Sequence, residues 1–232
     1  MKQLLFFLLL APGPLFGEMT LARSGDENSR DFSVGNFDKV FIEGNFKVHL
    51  YQSEDPYLRV KAPSDDLYDA MEVDSRGSTL EISVRKPNFN LQRVELHIGY
   101  SRLHSLHVKG GMKLVTDGFI EVDHFMVLLE GGANVNMKMK AQSVDVVTNG
   151  GAVFDLSGIT GALSVKVAGA AHVNAREMTA KEVTFRVEGV GFGSVHATDL
   201  LDVKIEGVGK VTYKGTPTVR KIIEGLGKVE EY

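Results

Sequence analysis

Seven times between Leu106 and Tyr232 the chain repeats one short pattern: two apolar residues at alternate positions, a small-residue turn, then alternation again. The first turn glycines fall at 110, 131, 150, 169, 189, 207 and 225, giving steps of 21, 19, 19, 20, 18 and 18 residues. With that glycine numbered zero, positions −4 and −2 are apolar or Thr in every copy except for Lys221. Position +4 is Leu114, Val135, Phe154, Val173, Val211 or Val229 in six copies. The copy at Gly189 is expected to reach its equivalent, Val195, after two extra residues, Phe192 and Gly193.

Period-two alternation on both sides of a turn predicts short strands with one face inward. Glycine at the corner permits positive φ and close approach of neighbouring backbones. A unit of about nineteen residues cannot bury its apolar face alone, whereas stacked copies pairing in parallel share one continuous core. The pattern therefore predicts an all-β parallel β-helix, or β-solenoid, with one repeat per coil. A sandwich of hairpins also has short strands and glycine turns, but it does not oblige the same residue types to recur every nineteen residues. Helix is disfavoured, because β-branched residues and Gly are dense and no 3.6-residue apolar spacing persists.

The first part of the chain is less regular. Lys2 followed by the unbroken apolar run Leu4–Leu10, then Pro12, Gly13 and Pro14, predicts a signal peptide over 1–17. The run is too short for a membrane span, which needs about 20 apolar residues. The chain has no Cys, so neither a lipid acceptor nor a disulfide is expected in the exported protein. Residues 18–36 are polar and read as a flexible lead-in. From Phe37 to Tyr232 one β-solenoid domain is expected, with irregular opening coils and an N-terminal cap over 37–105 and regular repeats over 106–232. Val40–Leu50 carries the repeat pattern around Gly44 and reads as an eighth, displaced copy. Between it and Gly110, strands are expected at Tyr57–Lys61 and Val94–Ile98. Ser64 is placed to cap a short helix through Met71, and a hairpin should join Glu72–Asp74 to Thr79–Val84.

The opening Phe37-Asp-Lys-Val40-Phe-Ile-Glu-Gly44-Asn-Phe-Lys-Val48 resembles the first block of the putative auto-transporter adhesin, head GIN domain family. So do Val187-Glu-Gly189, Ile205-Glu-Gly207-Val-Gly209-Lys-Val211 and Tyr213-Lys-Gly215-Thr-Pro217. The resemblance covers 37–232 and implies a right-handed β-helix-like fold in exported bacterial proteins, commonly of the Bacteroidetes type. Gly-Gly or Gly-Ala replaces the usual Gly-x-Gly at Gly110, Gly131, Gly150 and Gly169, a departure that bears on the corner geometry. The family carries no agreed catalytic residues to transfer.

The chemistry-bearing residues point away from an enzyme. Each glycine pair leads into more β pattern, whereas a phosphate loop needs a helix whose N-terminus meets the anion. Calcium-binding rolls repeat an Asp in register, and here Lys210 and Lys228 directly follow the glycines. His104 and His107, three apart on a strand, face opposite ways and suit shared metal ligation poorly. Glu43, Glu130, Glu188, Glu206 and Glu224 recur at position −1, as solvated edge residues with Lys47, Lys109, Lys166, Lys204, Lys210 and Lys228 nearby to offset them. No catalytic, cofactor-binding or metal-ligating residue is assigned, and no cofactor is expected.

A formal charge of −4 argues against nucleic acid. The expected role is that of a non-enzymatic solenoid, periplasmic, on the cell surface or secreted. It would act in adhesion, scaffolding or envelope interaction, with a cell-surface, glycan or protein ligand. No integral membrane span is expected in the mature chain. The alternative is a carbohydrate-active β-helix enzyme with a dispersed acidic site, although a chain without Trp is poor in sugar-stacking rings. Lys221 at −4 and Glu231 at +6 place charges where earlier copies have Val203 and Tyr213. This coil is expected to block end-to-end stacking, leaving any homo-oligomer to form through side faces.

Overall fold

The computed structural model describes residues 29–85 and 91–232. The expected signal peptide over 1–17 and the expected lead-in as far as residue 28 lie outside the described residues. Ser29–Phe32, within the expected lead-in, forms a strand, β1. It is followed by β2 (Lys39–Gln52), β3 (Tyr57–Lys61), α1 (Asp65–Ala70), β4 (Met71–Asp74), β5 (Thr79–Val84) and β6 (Glu95–Tyr100). The coils proper are β7 (Ser105–Thr148), β8 (Gly151–Val167), β9 (Ala170–Val187), β10 (Val190–Ile205), β11 (Val208–Lys214), β12 (Thr218–Ile223) and β13 (Leu226–Glu231). They stack in parallel as a β-solenoid of about six turns. The longest strands run round the corners, so one label covers several sides of a coil.

The displaced copy takes its place in the stack. β2 pairs in parallel with β7 from Lys39↔Ser105 to Tyr51↔Asp117, which sets Gly44 against Gly110. Each later corner glycine stands on the one before. A Cβ on Gly131, Gly150, Gly169, Gly189, Gly207 or Gly225 would come within 1.9–2.2 Å of the carbonyl oxygen of the preceding corner glycine. At Gly44, Gly110 and Gly131 the φ angle is also positive. From Gly150 onwards the close approach alone demands glycine. Rung-to-rung bonds cross the corner without a break: Val190 N to Gly169 O at 2.8 Å, Val208 N to Gly189 O at 2.9 Å and Leu226 N to Gly207 O at 2.9 Å.

Inside this frame the −4 and −2 columns are buried from Val40 and Ile42 through to Val203 and Ile205, as is the +4 column from Val48 to Val229. One assignment in the sequence is corrected. The copy at Gly189 has no insertion: Gly193 itself holds position +4, in register with Val173 and Val211, while Val195 aligns with Ala175 and Tyr213. The reason lies in the −4 column, where Phe185 replaces the usual aliphatic residue. Its ring fills the space a +4 side chain would occupy, since a Cβ on Gly193 would come within 2.6 Å of the ring.

At the N-terminal end the stack is closed by other elements. β3 pairs antiparallel with β6 and β1 with β3, while β4 and β5 form the expected hairpin, with β5 against β2. α1 ends at Ala70, because Met71 is already extended and begins β4. Ser64 occupies the N-cap position without a side-chain capping bond; Asp65 and Asp66 lie in the first turn, where carboxylates favour the helix dipole. Leu67, Tyr68 and Ala70 are buried beneath the cap. In the last coil Lys221 aligns with Val203 and Glu231 with Tyr213. Among the described residues no helix is long and apolar enough to cross a membrane.

Candidate binding faces

The corner divides the outward side chains into two faces. Before the corner, position −1 carries the recurring glutamates, and cations on the same or a neighbouring coil, several of them at position −3, hold them. Lys109 lies 3.2 Å from Glu43, His107 2.7 Å from Glu130 and Lys166 2.8 Å from Glu188. Arg186 donates two 2.9 Å bonds to Asp202, and Lys204 lies 2.6 Å from Glu206 and 3.6 Å from Glu224. The Arg186 bonds hold the Asp202 carboxyl below its ordinary pKa, and the Lys204 bond does the same for Glu206. Paired in this way, the glutamates do not form an open carboxylate ladder for a cation.

After the corner, positions +1, +3 and +5 form a second face whose character changes along the stack. Its N-terminal part is aromatic. The rings of His49 on β2 and His97 on β6 stack 4.9 Å apart at 8°, and Tyr51 Oη lies 3.1 Å from His97 Nδ1. The Tyr57 ring on β3 lies across Gly99, where a Cβ would come within 2.1 Å of it. Burial and the neighbouring His49 push the His97 imidazole pKa down, and burial pushes the Tyr51 phenol up. Burial opposes ionisation of Glu95, yet the Lys47 bond at 3.2 Å holds its carboxyl below the ordinary value.

The middle of this face is polar, with exposed Asn134, Asn136 and Asp155, the last accepting a 2.9 Å bond from Asn174. Its C-terminal part is apolar. The +1 column reads Gly132, Gly151, Ala170, Val190, Val208 and Leu226 in successive coils. Over the same coils position +2, which points inward, passes from Ala133, Ala152 and Ala171 to Gly191, Gly209 and Gly227. Side-chain volume has moved from the inside of the corner to the outside, which is the physical content of the change from Gly-Gly and Gly-Ala to Gly-x-Gly. Val190 is 42% exposed, Phe192 beside it 46%, Val208 44% and Leu226 75%.

Other polar clusters are weaker candidates. Asp38 and His104 approach to 3.7 Å, with Asp38 Oδ1 and His104 Nδ1 buried and unpaired. They begin the −6 column, which is apolar from Phe125 onwards. His104 precedes β7 and its side chain is 43% exposed, whereas His107 lies within β7, 33% exposed and paired with Glu130. A cleft of about 600 Å³ beside the β4–β5 hairpin is lined by Glu72, Asp74, Arg76, Glu81, Ser83 and Arg85. Its Glu72 and Asp74 carboxylates are tied to Arg85 and Arg76. Among the described residues no three His, Asp or Glu side chains converge as metal ligands.

The sequence concealed the aromatic cluster, because the pairing of β2 with β6 falls where the nineteen-residue spacing breaks. The apolar column was open to view, since Val190, Val208 and Leu226 each stand between the two glycines of Gly-x-Gly. The signal was there once those middle residues were read as a column of their own.

The model of the putative auto-transporter adhesin, head GIN domain family matches residues 36–217. Similar solved structures include a putative adhesin from Bacteroides fragilis, 24% identical over 88% of this chain and 96% of that one, with a TM-score of 0.82. A putative adhesin from Parabacteroides merdae is 18% identical over 88% and 95% of the two chains, with a TM-score of 0.67. A putative lipid binding protein from Parabacteroides distasonis is 22% identical over 90% and 98%, also with a TM-score of 0.67. At these identities the likeness establishes a shared fold. No curated protein matches the sequence.

Proposed function

The chain belongs to the putative auto-transporter adhesin, head GIN domain family, and from that premise we propose that it is an exported, non-enzymatic solenoid that binds a surface ligand in adhesion or envelope scaffolding. One observation carries this reading. The face after the corner presents the Tyr57, Tyr51, His97 and His49 cluster, with β3 antiparallel to β6 and β6 parallel to β2, and then exposed Asn134, Asn136 and Asp155 on the parallel coils, Asn136 in register with Asp155. Rings and planar amides held at fixed spacing suit an extended ligand, because little side-chain freedom remains to be lost on binding. The charged face before the corner has its carboxylates already paired, so it offers a ligand less.

A ligand of this kind is a surface polysaccharide or a matrix protein. Glycan and matrix-protein arrays probed with the chain should show saturable binding. Tyr57→Ala and Asn136→Arg should reduce it at least tenfold, while Lys166→Ala, on the charged face, leaves it unchanged. Equal binding by all four proteins would remove the face from the account. The carbohydrate-active alternative predicts turnover on a polysaccharide panel that is abolished by substitution of one acidic residue.

A further inference from the structure

Lysines fill the space between the rings and the amides of the face after the corner. The outward positions of β3, β6, β2 and the first two coils of β7 carry Arg59, Lys61, Lys47, Lys113 and Lys138. The carboxylates there are Glu95 and Asp117, with Asp31 of β1 opposite Arg59. Five cations thus meet three carboxylates at one end of a chain whose formal charge is −4. Arg59 is bound to Asp31 and Lys47 to Glu95. Lys113 and Lys138, both exposed, have no carboxylate partner among the described residues.

The rings there are of two kinds. Tyr57 lies across Gly99, where three of its ring atoms come within 2.9 Å of the Cβ position, and it remains 37% exposed. It is a platform for an apolar ring face. His49 and Tyr51 instead stack on His97, at 4.9 and 5.9 Å, so a ligand meets their edges. Tyr51 pins His97, whereas His49 has no hydrogen-bond partner among the described residues. The groups around His49 are His97 and Glu95 on β6, Lys47 and Tyr51 on β2, and Lys113 and Asp117 on β7. Tyr57, Arg59 and Lys61 follow on β3, beyond β6.

A uronic acid has an apolar ring face, hydroxyls and a carboxylate. Tyr57, the amides of Asn134 and Asn136, and the cations supply a counterpart to each. We propose that the ligand is a uronic-acid polysaccharide lying along the stack from Tyr57 towards Asn136, held more tightly as the imidazoles gain protons. This ligand class presupposes the adhesion reading and narrows it. Three strand spacings of ~4.8 Å separate β3 from β7, so a few sugars span the patch. Opposite charge selects the acidic sugar over a neutral one. Burial, then His49 and Lys61, keep the His97 pKa below its ordinary value. A bound carboxylate acts in the opposite sense, so binding takes up protons. Affinity therefore rises from pH 7.5 to about pH 5.5, where sugar carboxylates stay ionised.

Calorimetric titration of the chain with galacturonate, mannuronate and glucuronate oligosaccharides at those two pH values provides the test. At least one series should bind, about tenfold or more tighter than its methyl ester, and tighter at the lower pH. Lys113→Glu and Lys138→Glu, both exposed, should each weaken that binding about tenfold. Lys181→Glu, exposed outside this face, should leave it unchanged. His49→Gln should remove most of the gain at low pH. Asn136→Arg blocks the path by bulk, so the two lysine reversals carry the test of charge. Equal affinity for acid and ester, or for polyglutamate, would overturn the proposal. So would indifference to pH or to both lysine reversals, or no uronate binding. Array binding to neutral glycan or matrix protein alone would overturn it and leave the adhesion reading standing. Silence on the arrays would overturn both.

Discussion

At Gly150 the argument for the fold comes down to a single missing carbon. A Cβ there would stand 1.9 Å from Gly131 O, well inside any tolerable contact, and the neighbour is backbone that is fixed in the ladder. The next residue, Gly151, faces outward with nothing within 4 Å of its Cβ position. Gly150→Ala should therefore lower the unfolding free energy by about 3 kcal/mol or more, whereas Gly151→Ala should stay within about 0.5 kcal/mol of the parent. Urea denaturation of the two variants checks this, and equal effects would contradict the stacked corner. At this scale the sequence was highly legible, because the corner glycines recur at one position in every copy. It misled at Gly193, where counting towards the next valine implied an insertion. The chain had exchanged volume between Phe185 and position +4, and such compensation between neighbouring columns leaves no mark on spacing.

Among the elements, β6 is the one whose environment the sequence could not supply. Its alternation identified a strand, but not that it lies between β2 and β3, parallel to one and antiparallel to the other. That placement stacks His97 on His49 and brings Lys61 near enough to disfavour the imidazolium. The folded pKa of His97 is thereby pushed below its ordinary value of 6.5, first through burial. The unfolded chain then binds more protons as the pH falls through 6.5, so this contribution to stability is present above 6.5 and lost below it. Urea midpoints should fall between pH 7 and pH 5, and His97→Gln should flatten that part of the profile. A slope unchanged by the substitution would mean that other groups set it. The helix and the β4–β5 hairpin, by contrast, were readable from local signals, since the Ser64-Asp65-Asp66 start, though Ser64 makes no capping bond, and the Arg76–Gly77 turn lie within the elements they mark.

For the whole molecule, the family and the solenoid follow from the repeat, but the proposed binding face does not. Tyr51, Tyr57, His49 and His97 are scattered over fifty residues of sequence, and only the return of β6 alongside β2 brings them together. The glutamates were the reverse case, conspicuous in sequence yet tied up by Lys109, His107, Lys166 and Lys204 in the fold. The resulting account is of a solenoid that binds without transforming what it holds. Mass analysis of an array-positive ligand, recovered after prolonged incubation with the protein in excess, tests that claim most directly. The account predicts a ligand of unchanged mass and chain length, with no new ends. Shortened or unsaturated products that disappear when one acidic residue is substituted would contradict it.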